Sequence, residues 1–197
     1  MSAGSEPRDS GNAVVVDEAG EQTRAGSAPY AYFYYVTPGQ TMHGYHGKVE
    51  AFLIHAGDVN SSAKIEDLIP IWTSEIKSGA RKPVGWGLGD LKWRWKSYLV
   101  VVLDAPGYKF GSAEGLVITG GRHTFTGKTL TQFTTTDGSK VQAIYCINHV
   151  KKKNGKPWKD AELETFYPLK LDVLRGPSVH PFFSHDDTGT NTGPPPP

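Results

Sequence analysis

The run Leu91 to Pro106, LKWRWKSYLVVVLDAP, constrains the fold more than any other part of the chain. Its first half alternates strictly. Trp93, Trp95, Ser97, Leu99, Val101 and Leu103 share one face of an extended strand, and Lys92, Arg94, Lys96, Tyr98, Val100 and Val102 share the other. From Tyr98 onward both faces are apolar, which predicts a strand covered on both sides, while the Lys/Arg/Lys edge of the first half reaches water. Asp104, Pro106 and Gly107 end it. The run is therefore expected to be the central strand of a mostly β domain.

The flanking segments supply its neighbours. Tyr30 to Thr37, YAYFYYVT, reads as a strand with Tyr30, Tyr32 and Tyr34 on one face, ended by Pro38-Gly39. Lys48 to Ile54 is a second strand, continuing to about Ala56. Between Ala63 and Ser78, Ile65, Leu68, Ile69, Trp72 and Ile76 recur at helical spacing, with Ser62 placed to cap the start and Gly79 the end. Pro70 lies inside that helix and predicts a kink or a break. Lys82 to Asp90, KPVGWGLGD, reads as a loop, Leu116 to Thr119 and Thr129 to Thr135 as strands. Asp137-Gly138 turns the chain into the strand Lys140 to Val150, and Asn154-Gly155 is a second hairpin signal. It leads to a strand over Leu163 to Leu174, where Pro168 argues for an edge or a bulge. The predicted fold is mainly β (α+β): an antiparallel β-sandwich or open barrel with one kinked helix packed on one side.

The ends differ in character. Residues 1–28 combine Gly, Ser, Ala and acidic residues with almost nothing to bury, and residues 184–197 end in four prolines, so both are expected to be disordered tails around a single domain over 29–183. The first segment is polar and acidic and does not resemble a signal peptide, and no run approaches the roughly 20 apolar residues of a membrane span. With a single cysteine, Cys146, an internal disulfide is excluded, and a soluble protein of the cytoplasm or another intracellular compartment is expected. The Asn60-Ser61-Ser62 sequon is read as chance in that setting.

Candidate chemistry is sparse. Gly121 to Thr129, GRHTFTGKT, follows a strand and ends like a phosphate-binding P-loop. It has five residues between its glycines where that motif needs four, and Thr-rich LTQFTTT is a strand instead of the required helix. A zinc-type site would draw on His43, His46, His55 and His123, with His43 and His46 close together in a glycine loop. Cys146 and His149 face opposite sides of a strand because their spacing is odd. Cys146, between Tyr145 and Ile147, reads as a small buried hydrophobe, and no catalytic residue and no cofactor is assigned.

Charge gives one more clue. Residues 1–47 carry 2 basic and 5 acidic residues, 48–160 carry 17 and 10, and 161–197 carry 2 and 5, so a middle of +7 lies between ends of −3 each. A sheet that holds single-stranded nucleic acid stacks bases on exposed aromatics beside a basic path. Tyr30, Tyr32 and Tyr34, with Arg94, Lys96, Lys151, Lys152 and Lys153, are the candidates for such a surface. Trp93 and Trp95 could form such a platform too, but they stand in register with Leu99, Val101 and Leu103, which reads them as core residues. The leading expectation is a non-enzymatic β-rich binding or assembly protein that uses aromatic surfaces toward a protein partner or itself. Single-stranded nucleic-acid binding and a metal-dependent enzyme on the histidines are the alternatives.

Overall fold

The computed structural model describes residues 30–38, 47–55, 63–88, 91–93, 96–120, 124–149, 165–182 and 188–191. The stretches 1–28 and 192–197, and the Asn154-Gly155 turn, lie outside the described residues. Strands β1 (Tyr30–Pro38), β2 (Gly47–His55), β4 (Ser97–Leu103), β7 (Phe125–Thr134) and β8 (Lys140–Asn148) form a five-stranded sheet in the order β2-β1-β4-β8-β7. A second sheet is built on β9 (Thr165–Arg175). It takes in β3 (Lys92–Trp93), β5 (Tyr108–Phe110), β6 (Leu116–Ile118), β10 (Ser178–Phe182) and β11 (Thr188–Asn191). One helix, α1 (Ile65–Lys77), covers the free face of the first sheet. The fold is thus mainly β with two packed sheets and no closed barrel.

Strand alternation sorts the first sheet's side chains into two apolar layers. Ala31, Phe33, Tyr35, Phe52, Ile54, Tyr98, Val100, Val102, Ala143 and Ile147 face α1 and meet its stripe of Ile65, Leu68, Ile69, Trp72 and Ile76. Tyr32, Tyr34, Val36, Leu99, Val101, Leu103, Ile144 and Cys146 face the second sheet and meet Trp93, Tyr167, Leu169, Leu171 and Val173. Because β4 lies in the middle sheet of three layers, all seven of its residues are buried. That explains why its sequence is apolar on both faces.

Four expectations are corrected. The run Leu91 to Pro106 is not one strand: Lys92–Trp93 pair with β11 in the second sheet, and Ser97–Leu103 belong to the first. Trp93 and Leu99 point into the same apolar layer from opposite sides, so the alternation survives the crossing between sheets. Nor is the first sheet purely antiparallel, since β1 runs parallel to β4, with Tyr30 opposite Ser97 and Val36 opposite Leu103. A parallel neighbour needs a crossover, and the segment containing α1 provides it. The stretch expected as the C-terminal tail contributes Thr188–Asn191 to a strand, whose backbone pairs with β9 and β3. Finally, β9 is internal: β5 and β10 both pair with Val173, Leu174 and Arg175. Pro168 is accommodated at the end of the β11 pairing, opposite Thr188, and its carbonyl accepts from the Thr119 N–H at 3.0 Å.

Helix α1 runs unbroken through Pro70. The carbonyl of Glu66 that loses its donor sits in an exposed first turn, where solvent can supply one. The Thr73 and Ser74 hydroxyls donate to the carbonyls of Ile69 and Pro70 at 2.7 and 3.0 Å. Lys64 begins the helix without a side-chain cap, and Ser62 lies outside the described residues; Glu66 and Asp67 instead oppose the positive end of the helix dipole. At the other end Gly79 takes φ +76°, and Gly79 and Ala80 donate to Ile76 and Glu75 at 3.0 and 2.9 Å, a Schellman closure as glycine at that position predicts.

The P-loop-like segment ends inside a strand. Gly127, Lys128 and Thr129 belong to β7, and no helix begins there. Gly127, at φ +63°, sits where the register shifts between Thr126 and Thr129, so this glycine serves a β-bulge.

Candidate interaction surface

The outer edge of β2 is partly covered by a short strap, residues 83–86, from the stretch expected to be a loop. Ala51 donates to the Gly85 carbonyl at 2.8 Å, and its own carbonyl accepts from Val84 at 2.8 Å and from Gly85 at 3.3 Å. This antiparallel bridge puts Val84 and Trp86, which flank Gly85, on one side of the strap. Both are exposed, Val84 at 62% and Trp86 at 58%. The Lys48 ammonium stands 5.0 Å from the centre of the Trp86 ring and 2.8 Å from a Glu50 carboxylate oxygen. A cation over the indole face restricts the ring without burying it. Leu53, 42% exposed, shares the alternation of Val49 and Ala51 and so lies on the opposite face of β2, toward the second sheet, away from Trp86 and Val84. Val84 and Trp86 thus form a small aromatic and aliphatic patch on the helix side, edged by the Lys48–Glu50 pair and tied to the sheet by backbone bonds.

The described tyrosines read from the sequence as a binding face, Tyr32 and Tyr34, lie elsewhere. Tyr32 and Tyr34 are 2% and 0% exposed between the two sheets, so they are packing residues and not a stacking platform. Alternation on β1 is real, but both of its faces are covered. Trp93 is likewise fully buried, edge-on to Phe125 at 5.3 Å and hydrogen-bonded to Tyr34. Lys96 is half-buried just before β4. The side chain of Tyr30, and Arg94, Trp95, Lys151, Lys152 and Lys153, lie outside the described residues. So do His43, His46 and His123; His55 is exposed at the end of β2, opposite Tyr30. Among the described residues no group of three or more His, Cys, Asp or Glu could hold a metal ion. Trp86 was missed because the three glycines of KPVGWGLGD mark the segment as a loop and hide the alternation of Val84, Trp86 and Leu88. Its available signal was that alternation, a tryptophan between glycines with Val84 in register beside it.

The strongest electrostatic features tie α1 to the sheet. Lys77, near the C-terminal end of the helix, bonds Asp104 at 2.9 Å and Asp137 at 2.7 Å, and Asp104 also accepts from the Tyr35 hydroxyl. Partial burial pulls the Lys77 pKa down, and the two carboxylates outweigh that and raise it. Lys77, then Thr135 and Ser139, hold the Asp137 carboxyl well below the usual carboxylate range. Tyr35 is pushed above the ordinary tyrosine value by burial first and by Asp104 second. At the start of the helix Tyr145 donates to Glu66, and burial followed by that carboxylate raises its pKa too. Protonated phenols and a charged lysine at neutral pH make these groups clamps between layers.

Cys146 is fully buried in the layer between the sheets, and burial pushes its thiol up to about 12. A thiol so far from its thiolate is not poised for attack. Among the described residues no helix is long and apolar enough to cross a membrane. Compared with known protein families and with curated proteins, the chain matches none.

Proposed function

We propose that this chain is a non-enzymatic, β-rich binding protein that engages a protein partner through the strap-covered edge of β2, with Trp86 as its anchor. The reading is carried by one observation. Tyr32, Tyr34, Tyr98, Tyr167, Trp72 and Trp93 are all buried, whereas Trp86 is held exposed on a backbone-bonded strap with Lys48 against its face. Binding energy at protein interfaces concentrates in a few such aromatic anchors, flanked by smaller apolar contacts of the kind Val84 offers. A pre-positioned ring loses less freedom on binding than a loose one.

The test is affinity capture with the full chain, its Trp86→Ser variant and Ile71→Ser as a control. Ile71 is an exposed apolar residue on α1. Trp86→Ser leaves the strap's backbone bonds in place, so a change of less than about 0.5 kcal/mol in stability is expected. A discrete partner kept by the parent and by Ile71→Ser but lost by Trp86→Ser supports the reading. The same partner set on all three proteins, or loss only with Ile71→Ser, rejects it.

A further inference from the structure

The two edges of the five-stranded sheet are finished differently. The β2 edge carries Lys48 and Glu50 and is covered at Ala51 by the strap. The β7 edge pairs with β8 on one side, and among the described residues no strand pairs with it on the other. From Thr129 to Thr134 its sequence is TLTQFT, with no charge, no proline and no glycine. Threonine and phenylalanine favour extended backbone, and sheets usually guard such an edge with lysine, proline or a covering segment. Here the bulge at Gly127 and the turn at Asp137-Gly138 bound the stretch and leave its interior regular.

The direction of its backbone groups follows from the hairpin. Thr135 donates to the Ser139 carbonyl at 2.9 Å across the turn. Antiparallel alternation then directs the N–H and C=O groups of Phe133, Thr131 and Thr129 toward β8, and those of Leu130, Gln132 and Thr134 toward the open edge. Three outward residues remain, centred on Gln132.

We propose that a second copy of this chain pairs there, β7 against β7, antiparallel about a two-fold axis through Gln132, so that the five-stranded sheets of the two copies become continuous. The edge is complementary to itself in this register. Leu130 meets Thr134 of the other copy and Gln132 meets its own equivalent, and in each pair an outward N–H faces an outward C=O. On the helix side Thr131 comes opposite Phe133, a β-branched and aromatic cross-strand pair of the kind that stabilises sheets. No like charges meet across the axis, and the glutamine amides can bond to each other as in stacked glutamine ladders. An isologous contact of this kind closes at two copies, because each edge is used once. The contact is separate from the Trp86 surface and does not rest on it.

The experiment is light scattering on the full chain over about a hundredfold range of concentration, since a dimer dissociates by mass action. Twice the chain mass is expected at the upper end. Gln132→Lys and Gln132→Glu each place like charges on the axis and should give the mass of a single chain, while an equimolar mixture of the two should recover the doubled mass. Gln132→Pro removes one outward donor without touching the β8 ladder and should also give a single chain; circular dichroism melting confirms that each variant is folded. In the wild-type dimer, amide exchange at Leu130, Gln132 and Thr134 should slow on raising the concentration. A wild-type chain that stays single throughout overturns the proposal. So does a dimer that survives Gln132→Lys and Gln132→Pro, one lost on Trp86→Ser, or one whose three edge amides remain unprotected.

Discussion

The indole Nε1 of Trp93 donates to the Tyr34 hydroxyl at 2.9 Å with both residues fully buried. Tyr34 belongs to the first sheet and Trp93 to the second, so a buried polar bond joins the two layers within their apolar packing, as the Phe110 N–H to Gln142 Oε1 bond does at 2.7 Å. Tyr34→Phe keeps the ring and strands the indole donor, and a loss of about 1–3 kcal/mol is expected in urea unfolding. Ser97→Ala gives the contrast. The Ser97 hydroxyl is buried without a partner among the described residues, so its removal is expected to leave stability within about 0.5 kcal/mol or to raise it.

The Lys77 and Asp137 pair predicts an acid limb. A carboxyl whose folded-state pKa is depressed contributes stability that is fully present above its unfolded value, near about 4, and is lost as pH falls through the lower folded-state value. Asp137→Asn should therefore lower the urea midpoint at neutral pH, and the gap to wild type should close as pH is lowered below about 4. The site is exposed, so added salt should shrink the same gap. A gap that is constant across pH and salt would refute the assignment.

Cys146 offers a probe of opening between the sheets. With the thiol fully buried and its pKa raised, reaction with a thiol reagent in native buffer should be slow and should follow the equilibrium population of unfolded chain. Sub-denaturing urea should speed labelling along the line extrapolated from global unfolding. Fast labelling in its absence would mean that the two sheets separate locally.

Gly115 stands in a tight approach between layers. A Cβ there would lie 2.9 Å from the Asp172 carbonyl oxygen and 2.9 Å from Phe110 Cδ1. The carbonyl is part of β9 and cannot move aside without shifting that strand. Gly115→Ala is expected to cost about 1–3 kcal/mol, read from thermal and urea unfolding, with no change in the mass of the assembled protein.

What could be read from the residues follows local chemistry. The hairpin at Asp137-Gly138, the strand over Tyr30 to Thr37 and the helical stripe of Ile65, Leu68, Ile69, Trp72 and Ile76 each carry their own signal within a few residues, and all three form. The crossing after Trp93 was not legible, because both sheets bury the same kind of side chain in the shared layer and alternation cannot say which sheet a residue belongs to. For the same reason Tyr32 and Tyr34 looked like one exposed face. Period-2 patterning separates two faces, and it does not tell which of them is covered. Parallel pairing of β1 with β4 leaves no mark in either strand, and Trp86 owes its exposure to a backbone bridge with Ala51 that lies far from it in sequence.

The position of β1 also sets an order of events in folding. It pairs with β2, which follows it closely, and with β4, which arrives only after α1 and β3. Closing that second partnership needs a long loop to be ordered first, whereas the β1–β2 and β7–β8 hairpins are local. The two hairpins are thus expected to form early as separate units, with β4 joining them in the slow step as it enters between β1 and β8. Changes in the middle of β4, such as Val100→Ala, should then slow refolding more than they speed unfolding.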